Sequence, residues 1–211
     1  MERPAEYGTR KFTSCSKCSW TGPLDSFEKQ AALLNSKIKL ICPACGGESD
    51  LQSSTFPKGP ETIPNDMTFV SGGQTGVDRG ALDAAIDRGL PHRGWCPKGR
   101  KAEDGPIPPK YNMQEMNDWQ YWKRTERNVL DSDGTLIFPG NCESKGTALT
   151  IRLARKHGKP VAVIPLDDQD ALQTIRAWIA AHKIKVMNVA GPRESGAPGI
   201  RKKALTLLKK I

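Results

Sequence analysis

The sequence predicts an α/β fold, a doubly wound parallel sheet, preceded by a small cysteine-rich module. Two observations carry that prediction. From residue 66 onward short apolar runs alternate with amphipathic helical patterns, the order of a parallel sheet covered by helices on both faces. Ahead of it stand two Cys-x2-Cys pairs, in a segment too short to fold on an apolar core of its own. The chain has 211 residues, room for one medium domain with an appendage.

Candidate strands are Met67–Ser71, His92–Cys96, Thr135–Pro139, Val161–Pro165 and Lys185–Ala190, with helical patterns at about 77–88, 119–131, 146–157, 168–182 and 197–210. The runs at 135–139 and 161–165 are short and apolar, as in strands covered on both faces. Residues 10–50 hold Cys15, Cys18, Cys42 and Cys45, four of the six cysteines. Two such knuckles bring four thiolates to a tetrahedral Zn²⁺ at about 2.3 Å, and a four-thiolate site is structural because it leaves no open position. Two disulfides or a redox pair are the alternatives, and the absence of a secretion signal argues against disulfides. The metal would supply the stability of so small a segment. Residues 51–65, LQSSTFPKGPETIPN, are rich in Pro, Ser and Thr without periodicity and read as a linker to the main domain, residues 66–211.

The formal charge is +9, which permits contact with nucleic acid or acidic metabolites and equally suits a solvated basic surface. Much of the excess lies in Arg201, Lys202, Lys203, Lys209 and Lys210, interleaved with Ala204, Leu205, Leu207 and Leu208 as in an amphipathic final helix. No aromatics interleave with those charges, which weakens single-strand binding. No window approaches the roughly 18 apolar residues of a membrane span. The start, MERPAEYGTRKF, has no apolar signal-peptide core, so cytoplasm is the expected location.

In such sheets ligands bind beyond the carboxyl ends of the strands. After the first strand the chain reads SGGQTGVDRGALDAA from Ser71 to Ala85. Gly72, Gly73 and Gly76 permit close backbone approach, and the helix that follows opens with free N–H groups suited to an anion. Thr75 is read as a phosphate donor, and Gln74 or Asp78 as orienting a sugar or base. Gly73→Val is expected to abolish ligand binding and leave the domain folded. No Gly-Lys-Ser/Thr follows, against a kinase-type loop, and the GxGxxG spacing of dinucleotide dehydrogenases is absent.

After the second strand, Gly94–Gly105 is dense in charge, and Lys98 and Arg100, with Arg124, are candidates to complete a grip on phosphate. Cys96 reads as a buried strand-end thiol more than a nucleophile. After the third strand, Pro139–Thr147 is a second glycine-bearing turn, with Gly146 and Thr147 at a helix start. Two turns at two strand ends could hold both parts of one phosphorylated ligand. Arg124 and Asn128 share a helix face, while Trp119, Tyr121 and Trp122 could wall a base pocket or pack over the sheet. His92, His157 and His182 show no metal-ligand spacing.

Together SGGQTGVDRGALDAA, GWCPKGRKAEDGPIP, RTERNVLDSDGTLI, KGTALTIRLARKHGKP and NVAGPRESGAPGI resemble the motifs, in order, of the family labelled putative molybdenum carrier, also described as circularly permuted YpsA-like. The resemblance covers roughly 66–211; the cysteine module outside it looks like an added zinc ribbon. It implies a Rossmann-like fold of the SLOG superfamily, whose members bind nucleotides or nucleotide-derived ligands. Position by position it nominates Gly72, Gly73, Gln74, Thr75, Gly76 and Asp78, then Gly146 and Thr147. Related phosphoribohydrolases place a glutamate just after a PGGxGT turn. Here PGNCESKGTALT has Ala148 and Leu149 there, so hydrolysis needs a carboxylate from elsewhere, with Glu103, Glu126 and Asp78 as candidates. The residues themselves form no legible molybdate or pterin site.

The expected function is therefore binding of a nucleotide-like phosphorylated ligand, with a zinc ribbon that docks a protein or nucleic acid. The alternatives are an N-glycosidic hydrolase of nucleotides and a nucleic-acid-binding protein. Residues 1–65 carry eight Lys/Arg against seven Asp/Glu, a poor electrostatic anchor for nucleic acid. Homo-oligomerisation is an expectation of the fold.

Overall fold

A computed structural model describes residues 63, 66–117, 120–140 and 145–211, together with the backbone of three short N-terminal strands. The chain forms two compact units, Met1–Pro57 and Lys58–Ile211. In the first, β1 (Phe12–Ser14) pairs antiparallel with β2 (Trp20–Pro23) and with β3 (Gln52–Ser54), in the registers Ser14↔Thr21 and Phe12↔Ser54. β3 lies in the stretch expected to be a linker. Three polar residues carry no readable alternation, so only the pairing with β1 makes them a strand. Cys15, Cys18, Cys42 and Cys45 lie outside the described residues.

The second unit follows the expected alternation. Its elements are β4 (Thr68–Val70), α1 (Val77–Asp87), β5 (His92–Cys96), a small hairpin of β6 (Lys101–Ala102) and β7 (Gly105–Pro106), β8 (Met113–Glu115), α2 (Tyr121–Leu130), β9 (Gly134–Ile137), α3 (Lys145–Lys156), β10 (Val161–Val163), α4 (Ala171–His182), β11 (Val186–Ala190) and α5 (Ile200–Leu208). Six strands form a parallel sheet in the order β10-β9-β11-β4-β5-β8. The edge strand β8 and the hairpin were not legible in the sequence, because their two- and three-residue runs carry no period.

The chain starts near the middle at β4, steps out to β8, crosses to β9 and β10, and returns with β11 to fill the slot between β9 and β4. Successive side chains on a strand face opposite sides, and the burial follows that alternation. Leu136, Phe138, Ala162 and Ile164 join the larger core with α1, α4 and α5, around Trp178 and Ile175. Ile137 and Val161 join a smaller core with Val129, Leu153 and Ala154 of α2 and α3. Helices thus cover both faces, a Rossmann-like arrangement. After β9 the chain turns to the α2/α3 face, whereas after β11 it turns to the opposite one. A crevice opens where those connections part.

Polar contacts hold the elements around that crevice. Asp83 of α1 is 7% exposed and accepts from Lys110 Nζ (2.8 Å), the Tyr111 hydroxyl (2.9 Å) and Arg201 Nη2 of α5 (2.6 Å). Burial alone would raise its carboxyl, but these donors outweigh it and hold it below the usual range. Arg100 donates to the carbonyls of Ile107 (2.9 Å), Pro108 (2.9 Å) and Tyr111 (3.0 Å), stapling the long connection after β5. Cys96 is fully buried with Leu82, Ile107 and Tyr111, and burial pushes its thiol up. Among the described residues no helix is long and apolar enough to cross a membrane.

Candidate functional site

A cleft lies at the carboxyl ends of β4 and β11, under α2 and the first turn of α3, where the strand connections diverge. Gly72, Gln74 and Asp78 line it from the first loop, Tyr121 and Arg124 from α2, and Gly146 and Thr147 from α3. Its floor is Asn188 of β11, whose amide donates to the Thr135 hydroxyl of β9 at 3.2 Å. The enclosed volume is about 80 Å³, well below the ~300–1,000 Å³ of a site that swallows a whole small molecule. That is room for a group of about phosphate size. Tyr121, which lines the cleft, is 41% exposed.

Arg124 dominates the cleft. It is 8% exposed, and its Nε is buried without a hydrogen-bond partner among the described residues. The guanidinium stacks on the Tyr121 ring at 4.5 Å and lies 3.9 Å from Asp78 Oδ2. Gly72 makes room for it: a Cβ on Gly72 would sit 1.5 Å from Arg124 Nη1. Asp78, 7% exposed, accepts from the Gln74 N–H at 3.2 Å. Burial pushes its carboxyl up to about 6, and Arg124 only partly offsets that rise.

Gly73, Thr75 and Gly76, also nominated in the first loop, serve the loop itself. Gly73 has φ +73° and packs against Ile107 and Met113. The expectation that Gly73→Val spares the fold is therefore corrected, since a side chain there is strained whatever the ligand does. Gly76, with φ +77°, lets the chain pass the Pro192 carbonyl, which a Cβ would approach to 2.3 Å. That carbonyl accepts the Val77 N–H (3.2 Å), and Gln74 O accepts the Arg79 N–H (3.2 Å), so part of the first turn of α1 is already satisfied. Thr75 donates to Glu103 and accepts from the Glu194 N–H at 3.2 Å. Gln74 bridges outward: its amide donates to the Tyr121 hydroxyl (3.0 Å) and its oxygen accepts from the Thr75 (3.0 Å) and Glu103 (2.9 Å) N–H groups.

Among the carboxylates proposed as catalytic, Asp78 alone lines the cleft. Glu103 accepts from the Ser195 hydroxyl at 2.6 Å, and the Ser195 and Thr75 hydrogen bonds outweigh its burial and hold it below the usual range. Glu126 faces α3, where His157 (2.8 Å) and Lys156 (3.1 Å) hold it low. Lys98 is exposed on the connection after β5, and Arg100 is committed to backbone carbonyls. Asn128, on the face shared with Arg124, pairs with the backbone of Trp95 at 2.8 and 3.2 Å and ties α2 to β5. Trp119 and residues 141–144, Cys142 included, lie outside the described residues. The sequence reading missed Asn188–Gly191 as site residues. The strand-end rule applied to the last strand, with Gly191 directly after it, was the signal that pointed there.

The comparisons with known proteins bear on this same unit. A model of the circularly permutated YpsA SLOG family matches residues 69–211. The chain is also similar to a protein from Syntrophus aciditrophicus SB whose crystal structure is named "putative molybdenum carrier protein". Identity is 47%, over 69% of this chain and 94% of that one, with a TM-score of 0.66. No curated protein matches the chain.

Because the carboxyl of Asp78 titrates higher in the folded chain than its ordinary 3.8, the protein loses stability as pH rises from 3.8 to about 6, and the loss is complete above that. Asp78→Asn, an uncharged isostere, should then stabilise the fold at about pH 8 by up to about 3 kcal/mol and make no difference near pH 4. Urea denaturation of both proteins at the two pH values measures this. A variant equally stable or weaker at pH 8 would show that the ionised carboxylate is well compensated.

Proposed function

The chain belongs to the circularly permutated YpsA SLOG family, and on that premise we propose that the cleft binds a phosphorylated small molecule, a nucleotide or nucleotide-derived ligand. Arg124 carries the reading: a buried guanidinium whose Nε has no hydrogen-bond partner among the described residues lines a cleft of phosphate size. A charge-assisted hydrogen bond from such a group is among the strongest a protein offers an oxyanion. The first turn of α3 adds backbone N–H groups and the positive end of a helix dipole at Gly146 and Thr147. The small volume leaves the rest of the ligand at the mouth, beside the half-exposed Tyr121 and the Arg193 that lies over its ring.

A nucleotide N-glycosidase is the second reading, and Asp78 favours it. A buried carboxyl poised near 6 in a cleft is suited to general acid–base work. Incubation with nucleoside monophosphates and NAD, followed by a search for free base, separates a hydrolase from a binder. For the N-terminal unit we propose a structural Zn²⁺ on Cys15, Cys18, Cys42 and Cys45, in a module that docks a protein or nucleic acid. The antiparallel pairing of β1 with β2 supports this, because the segment that joins them in the chain carries the first Cys-x2-Cys pair. Metal analysis of the purified chain should find one zinc per molecule, lost when the four cysteines are changed to serine.

Two substitutions test the cleft. Arg124→Gln should weaken binding of nucleoside mono- and diphosphates by roughly tenfold to a hundredfold in calorimetry, the loss expected of a charged hydrogen bond. Gly72→Ala should act the same way, because its Cβ displaces the flexible end of Arg124 and crowds Asp78 Oδ2 at 2.8 Å. Unchanged affinity in both variants would remove the cleft from consideration.

A further inference from the structure

A carboxylate inside an anion seat needs a reason. Ionised, Asp78 can only accept hydrogen bonds, and beside a fully ionised oxyanion it would face negative oxygens with no proton between them. The groups around it come from every neighbouring element. Arg124 of α2 stands 3.9 Å away, Arg193 reaches toward it from the connection after β11, and the Gln74 N–H donates to it. The Ser71 hydroxyl at the end of β4 donates to the Val189 carbonyl at 2.8 Å and also lies against the Asp78 carboxyl, where it favours the ionised form. The lining residues Gly146 and Thr147 of α3 and Asn188 of β11 bring no charge.

Resting on the reading of this cleft as an anion seat, we propose that Asp78 selects oxyanions that still carry a proton, such as hydrogen phosphate or a singly protonated phosphate monoester, by accepting the hydrogen bond of their P–OH. The same carboxylate disfavours oxyanions that are fully ionised near neutral pH. Arg124 attracts hydrogen phosphate, sulfate and molybdate alike, all of them dianions, so discrimination among them falls to Asp78, the one carboxylate among the lining residues. A site built around a specific hydrogen bond rejects a ligand that cannot make it, because a buried polar group is left unpaired. The proton balance is explicit. One proton lies between Asp78 and the bound anion. A protonated phosphate brings it, whereas sulfate or molybdate requires Asp78 to take it from solvent. For those two ions affinity should fall about tenfold per pH unit above the titration of Asp78 near 6.

The test uses the full chain with inorganic phosphate, sulfate and molybdate as probes, by calorimetry at about pH 5.5 and about pH 8. At the higher pH the wild type should bind phosphate at least about tenfold more tightly than sulfate or molybdate. That gap should narrow at the lower pH, and Asp78→Asn should close it at the higher. Equal affinities for the three ions in the wild type at about pH 8, or an unchanged ratio in Asp78→Asn, would overturn the role of Asp78 and leave the anion seat standing. Failure of every ion to bind either protein at either pH would overturn the anion seat itself, and this inference with it. Should the variant misfold, the ion preference of the wild type and its change with pH still decide.

Discussion

A full positive charge buried over a glycine at the carboxyl end of a parallel sheet is the constraint around which the cleft is organised. Removing a guanidinium from water is expensive unless an opposite charge and hydrogen bonds replace the lost solvent. Here the replacement is incomplete. Asp78 stands 3.9 Å away, beyond direct hydrogen-bond reach, the Tyr121 ring lies under the cation, and Nε has no partner among the described residues. Burial raises the titration of the carboxylate more than Arg124 lowers it, so both charges are held at a cost. A bound oxyanion would relieve Arg124, and a bound proton would relieve Asp78. The two proposals for this site follow from that one imbalance.

The surroundings of the pair are rigid for reasons unrelated to a ligand. The connection after β5 is long for an α/β domain, and such segments are ordinarily mobile or functional. This one is pinned at many points. Arg100 gathers carbonyls from the far side of the loop, Arg79 pairs with Asp104 at 2.7 Å, and Glu103 joins the hairpin to Ser195. Gln74 links this network to Tyr121 at the mouth of the cleft. The density of charge that suggested phosphate contacts in the sequence is, for these residues, the stitching of a polar loop to the strand ends.

The glycines divide in the same way. Gly73 and Gly76 adopt positive φ and pass close to side chain or backbone, so they shape the turn. Gly72 has no such dihedral, and its missing Cβ is the space that Arg124 occupies. A glycine-rich turn after a strand therefore holds three residues with three different reasons, and one of them bears directly on the cleft. Gly94 adds a fourth case, its backbone lying so near Ser71 that a Cβ would meet the carbonyl oxygen at 1.8 Å.

By itself the sequence determined the alternation of strands and helices from residue 66 onward, because apolar periodicity is a local property that survives in any context. Helices expected at 77–88, 146–157 and 197–210 form at Val77–Asp87, Lys145–Lys156 and Ile200–Leu208, and the strand expected at 92–96 forms there. It also pointed to the strand ends as the place for a site, and to Gly72, Gln74, Asp78, Arg124, Gly146 and Thr147, which now line one cleft. Only the tertiary structure decided which charged residues face that cleft and which face one another. The letters alone do not sort Arg124, Glu103 and Glu126, whose roles depend on partners such as Asp78, Ser195 and His157, tens of residues away in the chain. The slot of β11 between β9 and β4 is likewise a long-range choice. It brings Asn188 into the lining of the same cleft as Arg124 and creates the diverging connections that open the cleft, and no local pattern encodes that pairing.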